Sequence, residues 1–427
     1  MRVLLIGATG FIGSAVLARL LGAGHQVVAI TRSRQVQRPG VRFVTLDIRR
    51  ATAPEDWLPH LAGIDAVVNC AGVLQDSPRD STAGVHVHGV AALFAACERA
   101  GVRRVIHVSA IGVDRDAPTR FSRTKREGDQ ALMARDLDWV ILRPSVVVGR
   151  PAYGGSAMFR GLAALPVTPL VGDTGPLQIV QLDDVTQTIL FFLQPHAPVR
   201  KVLEVAGPKQ LAMTDVVQTY RRWFGWPPAR TVKLPRWLSH AMYRAGDLIG
   251  LLGWRPPMRS TGRQEIVRGA VGDPGEWTRL TGIEPRDFDA ALLAEPVSVQ
   301  ERWFAQLYFL KPLVLGVLAL FWLTTGLISL GPGFTIGQGL MVEGGAGGLA
   351  SISVVAGALA DIAIGIGIAF RRTGRWALYA ALAISIFYVI AGTILLPRLW
   401  AEPLGPMLKI WPILALNLVA LAILDDR

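Results

Sequence analysis

Gly7, Gly10 and Gly13 close the apolar run Val3-Leu4-Leu5-Ile6 and open an apolar-periodic stretch, Ala15 to Leu21, so the order strand, glycine turn, helix is predicted. At this spacing Gly7 permits the tight turn, Gly10 lets backbone approach a pyrophosphate, and Gly13 lets helix and strand pack closely. Phosphates then rest on the unpaired N–H groups of the helix N-terminus. The chemistry implied is dinucleotide binding by Gly7, Thr9, Gly10, Phe11, Ile12 and Gly13. About 20 residues beyond the last glycine, a second strand ends in Thr31-Arg32-Ser33-Arg34. An acidic residue there would hold a ribose 2′-hydroxyl, whereas an arginine accommodates a 2′-phosphate, so Arg32 predicts NADP(H) in preference to NAD(H). Asp47, followed by Ile48, ends a third strand where a carboxylate could accept a hydrogen bond from the adenine amino group.

The elements that must position these residues continue the same alternation. Asp65 to Asn69 predicts a fourth strand, and the small residues Cys70, Ala71 and Gly72 at its exit let backbone approach a nicotinamide ribose. Val85 to Ala100 predicts a helix, Val102 to Val108 a fifth strand with Ser109 at its carboxyl end, and Trp139 to Pro144 a sixth. Open α/β sheets place their chemistry on that rim. The expected fold is an α/β, Rossmann-like, doubly wound parallel sheet over residues 1–210. A small substrate lobe and a basic membrane-proximal segment over 211–300 are expected to follow, and then a transmembrane four-helix bundle over 301–427. Val202 to Pro208 and the helix Met213 to Trp223 read as part of the lobe.

The ordered set Gly7-Ala8-Thr9-Gly10-Phe11-Ile12-Gly13, Asn69-Cys70-Ala71-Gly72, His107-Val108-Ser109-Ala110, Lys125 to Asp129, Leu142-Arg143-Pro144 and Val180 to Val185 resembles extended and atypical short-chain dehydrogenase/reductases. Within these it is similar to the NmrA-like redox sensors and the nucleotide-binding accessory subunit of respiratory complex I. The resemblance implies a Tyr-x-x-x-Lys pair in which tyrosine is the general acid/base and lysine lowers its pKa and holds the nicotinamide ribose. Here the stretch reads Phe121-Ser122-Arg123-Thr124-Lys125, so the lysine persists and the phenol is gone. Ser109 and Lys125 are the remaining catalytic candidates. His86 stands where the family often has asparagine; it and His88 read as surface or helix-edge polar residues.

Composition bounds the rest. Of 427 residues, 51% are hydrophobic, high for a chain that meets only water, and Cys70 and Cys97 have no metal-ligand spacing or disulfide framework. No charged-then-apolar leader precedes the first strand, so no cleaved signal peptide is expected. The net charge is +12, and residues 301–427 hold eight Lys/Arg against six Asp/Glu, which leaves the excess on the first 300. Anionic headgroups and a phosphorylated cofactor fit that charge; no nucleic-acid-binding motif is present. Residues 230–270 hold eight Lys/Arg against two carboxylates, interleaved with Trp237, Tyr243 and Trp254, a pattern of membrane-surface contact or of a lid over the cleft. Four apolar runs follow, Leu310 to Leu330, Gly348 to Phe370, Trp376 to Pro397 and Met407 to Leu424, each near the ~20 residues that span a bilayer. This region resembles a DoxX-like membrane module. Arg371, Arg372 and Arg375 between the second and third runs predict a plasma (inner) membrane protein with that link, both termini and the nucleotide domain in the cytoplasm. Gly365 and Gly367 predict close helix approach, and Asp361 must face the bundle interior, with Asn417 or Thr325 as the expected hydrogen-bond partner.

Three functions are compatible with these residues. The first is an NADP(H)-dependent oxidoreductase whose cleft faces the bilayer and takes an apolar or membrane-resident substrate such as a quinone or isoprenoid. The second is a non-catalytic redox sensor or respiratory-complex assembly subunit with a membrane protein partner, and the third is a nucleotide-sugar epimerase or dehydratase.

Overall fold

The computed structural model describes residues 1–78, 80–115, 118–171, 174–256, 258–403 and 405–425. The chain divides into two compact units, Met1–Leu248 with Pro256–Ala305, and Ile249–Arg255 with Gln306–Arg427.

The first unit opens with β1 (Arg2–Ile6), α1 (Phe11–Gly22), β2 (Gln26–Thr31), β3 (Val41–Thr45), the short α2 (Leu58–Leu61), β4 (Ala66–Asn69), α3 (Gly89–Ala100), β5 (Arg104–Val108), α4 (Arg120–Met133) and β6 (Asp138–Pro144). There follow β7 (Val146–Val148), α5 (Gly154–Ala164), β8 (Val167–Val171), β9 (Leu177–Gln181), α6 (Leu182–Phe192), β10 (Lys201–Val205), β11 (Gln210–Leu211), α7 (Met213–Trp223) and β12 (Arg230–Leu234). Helices α8 (Arg236–Leu251), α9 (Ser260–Arg268), α10 (Gly275–Thr281) and α11 (Phe288–Leu293) come next.

Seven strands form one parallel sheet in the order β10-β6-β5-β4-β1-β2-β3. The alternation of a two-sided strand is plain in β1: Val3 and Leu5 enter the core on one face, Leu4 and Ile6 the core on the other. Because β2 and β3 lie to one side of β1 while β4, β5 and β6 lie to the other, the loops after β1 and β4 diverge and leave a crevice at the carboxyl ends of the strands. One reading needs correction. Lys201–Val205 belongs to the main sheet rather than to a lobe, in parallel register with β6, because its residues match both layers: Leu203 and Val205 are buried in one core, and Val202 packs against the other. Smaller sheets, β11-β9-β7 and β12-β8, lie beside the main one.

Helix α12 (Val299–Leu330) carries the chain into the second unit, which continues with α13 (Phe334–Glu343), α14 (Ala350–Ala369), α15 (Gly374–Leu395) and α16 (Ile410–Ile423). Three of these, α12, α14 with its preceding turn, and α15, are long and apolar enough to cross a membrane. The fourth apolar run forms a helix of 14 residues, about 21 Å at 1.5 Å per residue, against a hydrocarbon core of about 30 Å. The link between the first two runs is itself helical, as α13. Leu318, Trp322, Ile364, Leu378, Ala381 and Ala420 form the core of the bundle. Helix α14 meets its neighbours at the expected glycines: a side chain on Gly365 would begin 2.6 Å from Leu323 N, and one on Gly367 would begin 2.8 Å from Ala377 Cβ. Asp361 is buried as expected, but its partner is Tyr388, whose hydroxyl donates to Oδ1 at 3.3 Å. Asn417 and Thr325 instead donate to carbonyls one turn back on their own helices, at Ile413 and Phe321.

Candidate functional site

The crevice begins at the turn after β1. Gly7 has φ +78°, a conformation L side chains rarely adopt, and Gly10 N donates to Gly7 O at 2.8 Å to close the turn. A side chain on Gly13 would begin 2.1 Å from Gly7 O, so α1 sits on the turn as closely as backbone allows. No side chain caps α1 at Gly10, and its first turn holds no carboxylate. Its N-terminal N–H groups, contributed by Phe11, Ile12 and Gly13, are therefore left for an anion in the crevice. Thr9 is exposed at this mouth, and the Phe11 ring stacks on Tyr153 with centroids 6.0 Å apart.

At the ends of β2 and β3, Arg32 Nη1 meets the buried Asp80 carboxylate at 2.5 Å. Asp47 accepts from Arg49 Nε at 3.0 Å and Nη2 at 2.6 Å, and these bonds hold its carboxyl below the usual range. Ile48 is buried, and its carbonyl packs beneath Gly89.

Across the switch point, Asn69 Oδ1 accepts from Ala71 N at 3.0 Å while its amide meets His107 Nδ1 at 3.0 Å, so the exit loop Cys70-Ala71-Gly72 is fastened to β5. Lys125, on α4, is buried and donates through Nζ to Val108 O at 2.8 Å and Ala71 O at 3.3 Å. A side chain on Gly72 would begin 3.4 Å from that ammonium. Burial lowers Lys125 to about 8, with the Asp129 carboxylate pulling the other way. Ser109 is buried at the carboxyl end of β5, with the Asp129 carboxylate nearby. One turn before Lys125, Phe121 packs edge-on against the His86 ring, centroids 5.6 Å apart.

His86 corrects the surface reading. It is 2% exposed, its Nε2 accepts from Val73 N at 3.0 Å, and its Nδ1 lies 2.9 Å from Thr124 Oγ1. Because Nε2 accepts, the proton sits on Nδ1. Burial first, then Lys125 and His107, hold the ring well below the usual histidine range, so it is neutral. The chain reaches this arrangement through a π-helical turn at Gly84–His88 whose His86 carbonyl lies 2.3 Å from where a side chain on Gly128 would start. Beneath the site, Arg143 spans Asp129 (Nη2–Oδ2 3.0 Å) and Asp114 (Nη1–Oδ2 2.6 Å), while His107 Nε2 lies 3.5 Å from Asp129 Oδ1. Burial raises Asp129, with the nearby Ser109 hydroxyl and Arg143 working against it. Asp129 and Arg143 lay in the motifs Lys125 to Asp129 and Leu142-Arg143-Pro144, but their pairing with each other, and the roles of His86 and Asp80, had no local signature. The i, i+4 spacing of Lys125 and Asp129 was the one signal that could have marked a shared face.

The glycine cradle and the uncapped helix fit a dinucleotide. Residues 7–163 match the NAD(P)H-binding family and residues 319–418 the DoxX-like family. The chain joins an NAD(P)H-binding domain to a DoxX-like domain. An uncharacterized protein of Mycobacterium tuberculosis is 30% identical over 223 residues, 52% of this chain and 23% of that one, so the chain spans about a quarter of the length of the curated relatives it first matches. The ceramide reductase of Caulobacter vibrioides is 24% identical over 55% of this chain and 73% of its own. Subunit 9 of the alpha subcomplex of NADH dehydrogenase (ubiquinone) from Arabidopsis thaliana is 27% identical over 57% and 62%. In fold, the chain resembles MoeE5 solved with UDP-glucuronic acid and NAD, at TM-score 0.53 and 20% identity, over 69% of this chain and 97% of that one. The extended and atypical short-chain dehydrogenase/reductase character read from the motifs thus holds for the NAD(P)H-binding domain, and the membrane character for the DoxX-like domain.

Proposed function

We propose that the protein is a membrane-anchored oxidoreductase that prefers NADP(H) and reduces a carbonyl on an apolar, membrane-resident molecule of the quinone or isoprenoid kind. In this reading Gly7, Thr9, Gly10, Phe11, Ile12 and Gly13 hold the pyrophosphate, Arg32 the 2′-phosphate, Asp47 and Ile48 the adenine. Cys70, Ala71, Gly72, Ser109 and Lys125 hold the nicotinamide end. Bound in reduced form, the nicotinamide supplies hydride. Ser109 orients the carbonyl through its hydroxyl, and Lys125 holds the proton that a tyrosine would otherwise deliver. The observation that carries this reading is the buried Lys125 ammonium, tied to Val108 O and Ala71 O beside Gly72. The likeness to a ceramide reductase supports a lipid substrate.

The test is the pH profile of NADPH oxidation with membrane lipid extract. Lys125 is lowered to about 8, so its donor form is present below that pH and lost above it. Turnover should fall about tenfold per pH unit above about 8. The folded chain also binds fewer protons than the unfolded chain from about 8 up to the ordinary lysine range, so stability should rise with pH there, and this rise should vanish in Lys125→Met. A flat rate profile from pH 7 to 10 would remove Lys125 as donor.

Arg32 sets the cofactor preference in this account. Arg32→Asp should weaken NADP(H) binding by about 10²-fold and leave NAD(H) binding close to wild type, since one charge-assisted phosphate contact is lost. Equal affinity of the unaltered protein for both cofactors by titration calorimetry would sink the assignment. For topology, we place Arg371 to Arg375 and the NAD(P)H-binding domain in the cytoplasm of a plasma membrane protein. An impermeant thiol reagent on intact cells should then label Gly348→Cys and spare Thr373→Cys, and the reverse pattern would invert the orientation.

A second reading has one observation in its favour, the phenyl ring of Phe121 in place of a phenol. It makes the protein a non-catalytic sensor or assembly subunit that reports cofactor state to a membrane protein partner, in line with the likeness to a complex I subunit.

A further inference from the structure

We propose that the second unit carries a headgroup site for anionic phospholipid, built where Ile249–Arg255 packs against the turn between α14 and α15. These seven residues, the end of α8 and the turn after it, belong to the second unit although the chain on either side of them belongs to the first. Trp254 Nε1 donates to Ala369 O at 2.7 Å, which satisfies one of the carbonyls that the end of α14 leaves open. Arg371 N donates to Leu252 O at 3.0 Å, and the Arg371 guanidinium lies 5.4 Å over the Trp254 ring. The turn is thereby fixed, and Arg255, Arg371, Arg372 and Arg375 are gathered at one end of the bundle. Lys311 Nζ joins them by donating to Leu424 O at 3.1 Å, just beyond α16, and Arg375 pairs with Asp425 at 2.5 Å.

Apolar side chains stand exposed beside these cations: Leu251 (67%), Phe370 (44%) and Trp376 (75%). An indole and a phenyl ring among guanidinium groups at the end of a spanning helix match the headgroup level of a bilayer. A phosphodiester suits the arginines and the acyl chains below it suit Leu251, Phe370 and Trp376, whereas a free phosphate would use the cations alone. The inference rests on α12, α14 and α15 lying in a bilayer, and not on hydride transfer or on which side faces the cytoplasm.

Native mass spectrometry of the full chain, released from micelles holding equal phosphatidylglycerol and phosphatidylcholine, tests it. Wild type should retain phosphatidylglycerol selectively, and Arg371→Gln with Arg372→Gln should cut that preference about 30-fold, two interfacial charges having been removed. Should the double variant fail to fold, Arg372→Gln alone, at an exposed position, should cut it about fivefold. NADPH binding should be unchanged in both, which separates this site from the dinucleotide crevice. Equal retention of the two lipids, an unchanged preference in the variants, or release of phosphatidylglycerol by millimolar inorganic phosphate would overturn the proposal.

Discussion

Gly13→Ala should abolish measurable NADPH binding and lower the thermal midpoint of the first unit, because the added methyl group would begin 2.1 Å from the Gly7 carbonyl oxygen. That neighbour is backbone and cannot swing away, so α1 must move off the turn at an overpacking cost of about 1–3 kcal/mol. The displacement also pulls the helix N-terminus from the position at which its N–H groups can meet a pyrophosphate. Gly10→Ala provides the contrast. Its methyl group would begin 3.1 Å from Gly7 O and meets nothing else within 4 Å, so folding should survive while binding falls through direct obstruction of the ligand. Fluorescence titration of NADPH together with thermal unfolding reads both. Wild-type affinity in Gly13→Ala would show that the dinucleotide does not lie on this turn.

The second large effect is a gain. Phe121 lies one turn before Lys125 on α4, its ring against the neutral His86. Phe121→Tyr places a phenol within the reach of a buried ammonium, and acid/base help of this kind is worth about 10² to 10⁴ in rate. Carbonyl reduction by NADPH should rise by a factor in that range if Lys125 now carries the proton unaided. An unchanged rate, with NADPH still bound, would favour the sensor reading, in which the loss of the phenol is immaterial to function.

The glycine loop, the six strands that succeed one another up to Pro144, and α7 were legible because each is a local pattern: a run of apolar residues, a period, a turn residue. What sequence reasoning missed depends on residues far apart in the chain. The sequence placed Arg32 just beyond β2 but not its partner Asp80, 48 positions on. His86 looked like a helix-edge residue because nothing near it announces that Gly128 of α4 admits its carbonyl, or that Val73 and Thr124 take both ring nitrogens. Asp361 was correctly placed inside the bundle by the cost of an acid in lipid, but not its partner, since polar side chains on apolar helices often bond to their own backbone, as Asn417 and Thr325 do. Helix α13 lies between the first two apolar runs, in a stretch whose Gly337 and Gly339 lower its helix propensity.

The most direct test tracks the hydride itself. Full-length protein in phospholipid nanodiscs is incubated with NADPH deuterated at the transferable position and with a total membrane lipid extract, and the lipids are analysed by mass spectrometry. The expected result is carbon-bound deuterium in one class of alcohol derived from an apolar carbonyl lipid or, for a quinone, whose hydroquinone bears no hydrogen on the former carbonyl carbons, hydroquinone formed as NADPH is consumed; either is lost in Gly10→Val and in Lys125→Met. Tight NADPH binding with no deuterium in any lipid and no hydroquinone formed would contradict the account and leave a protein that binds the cofactor without spending it.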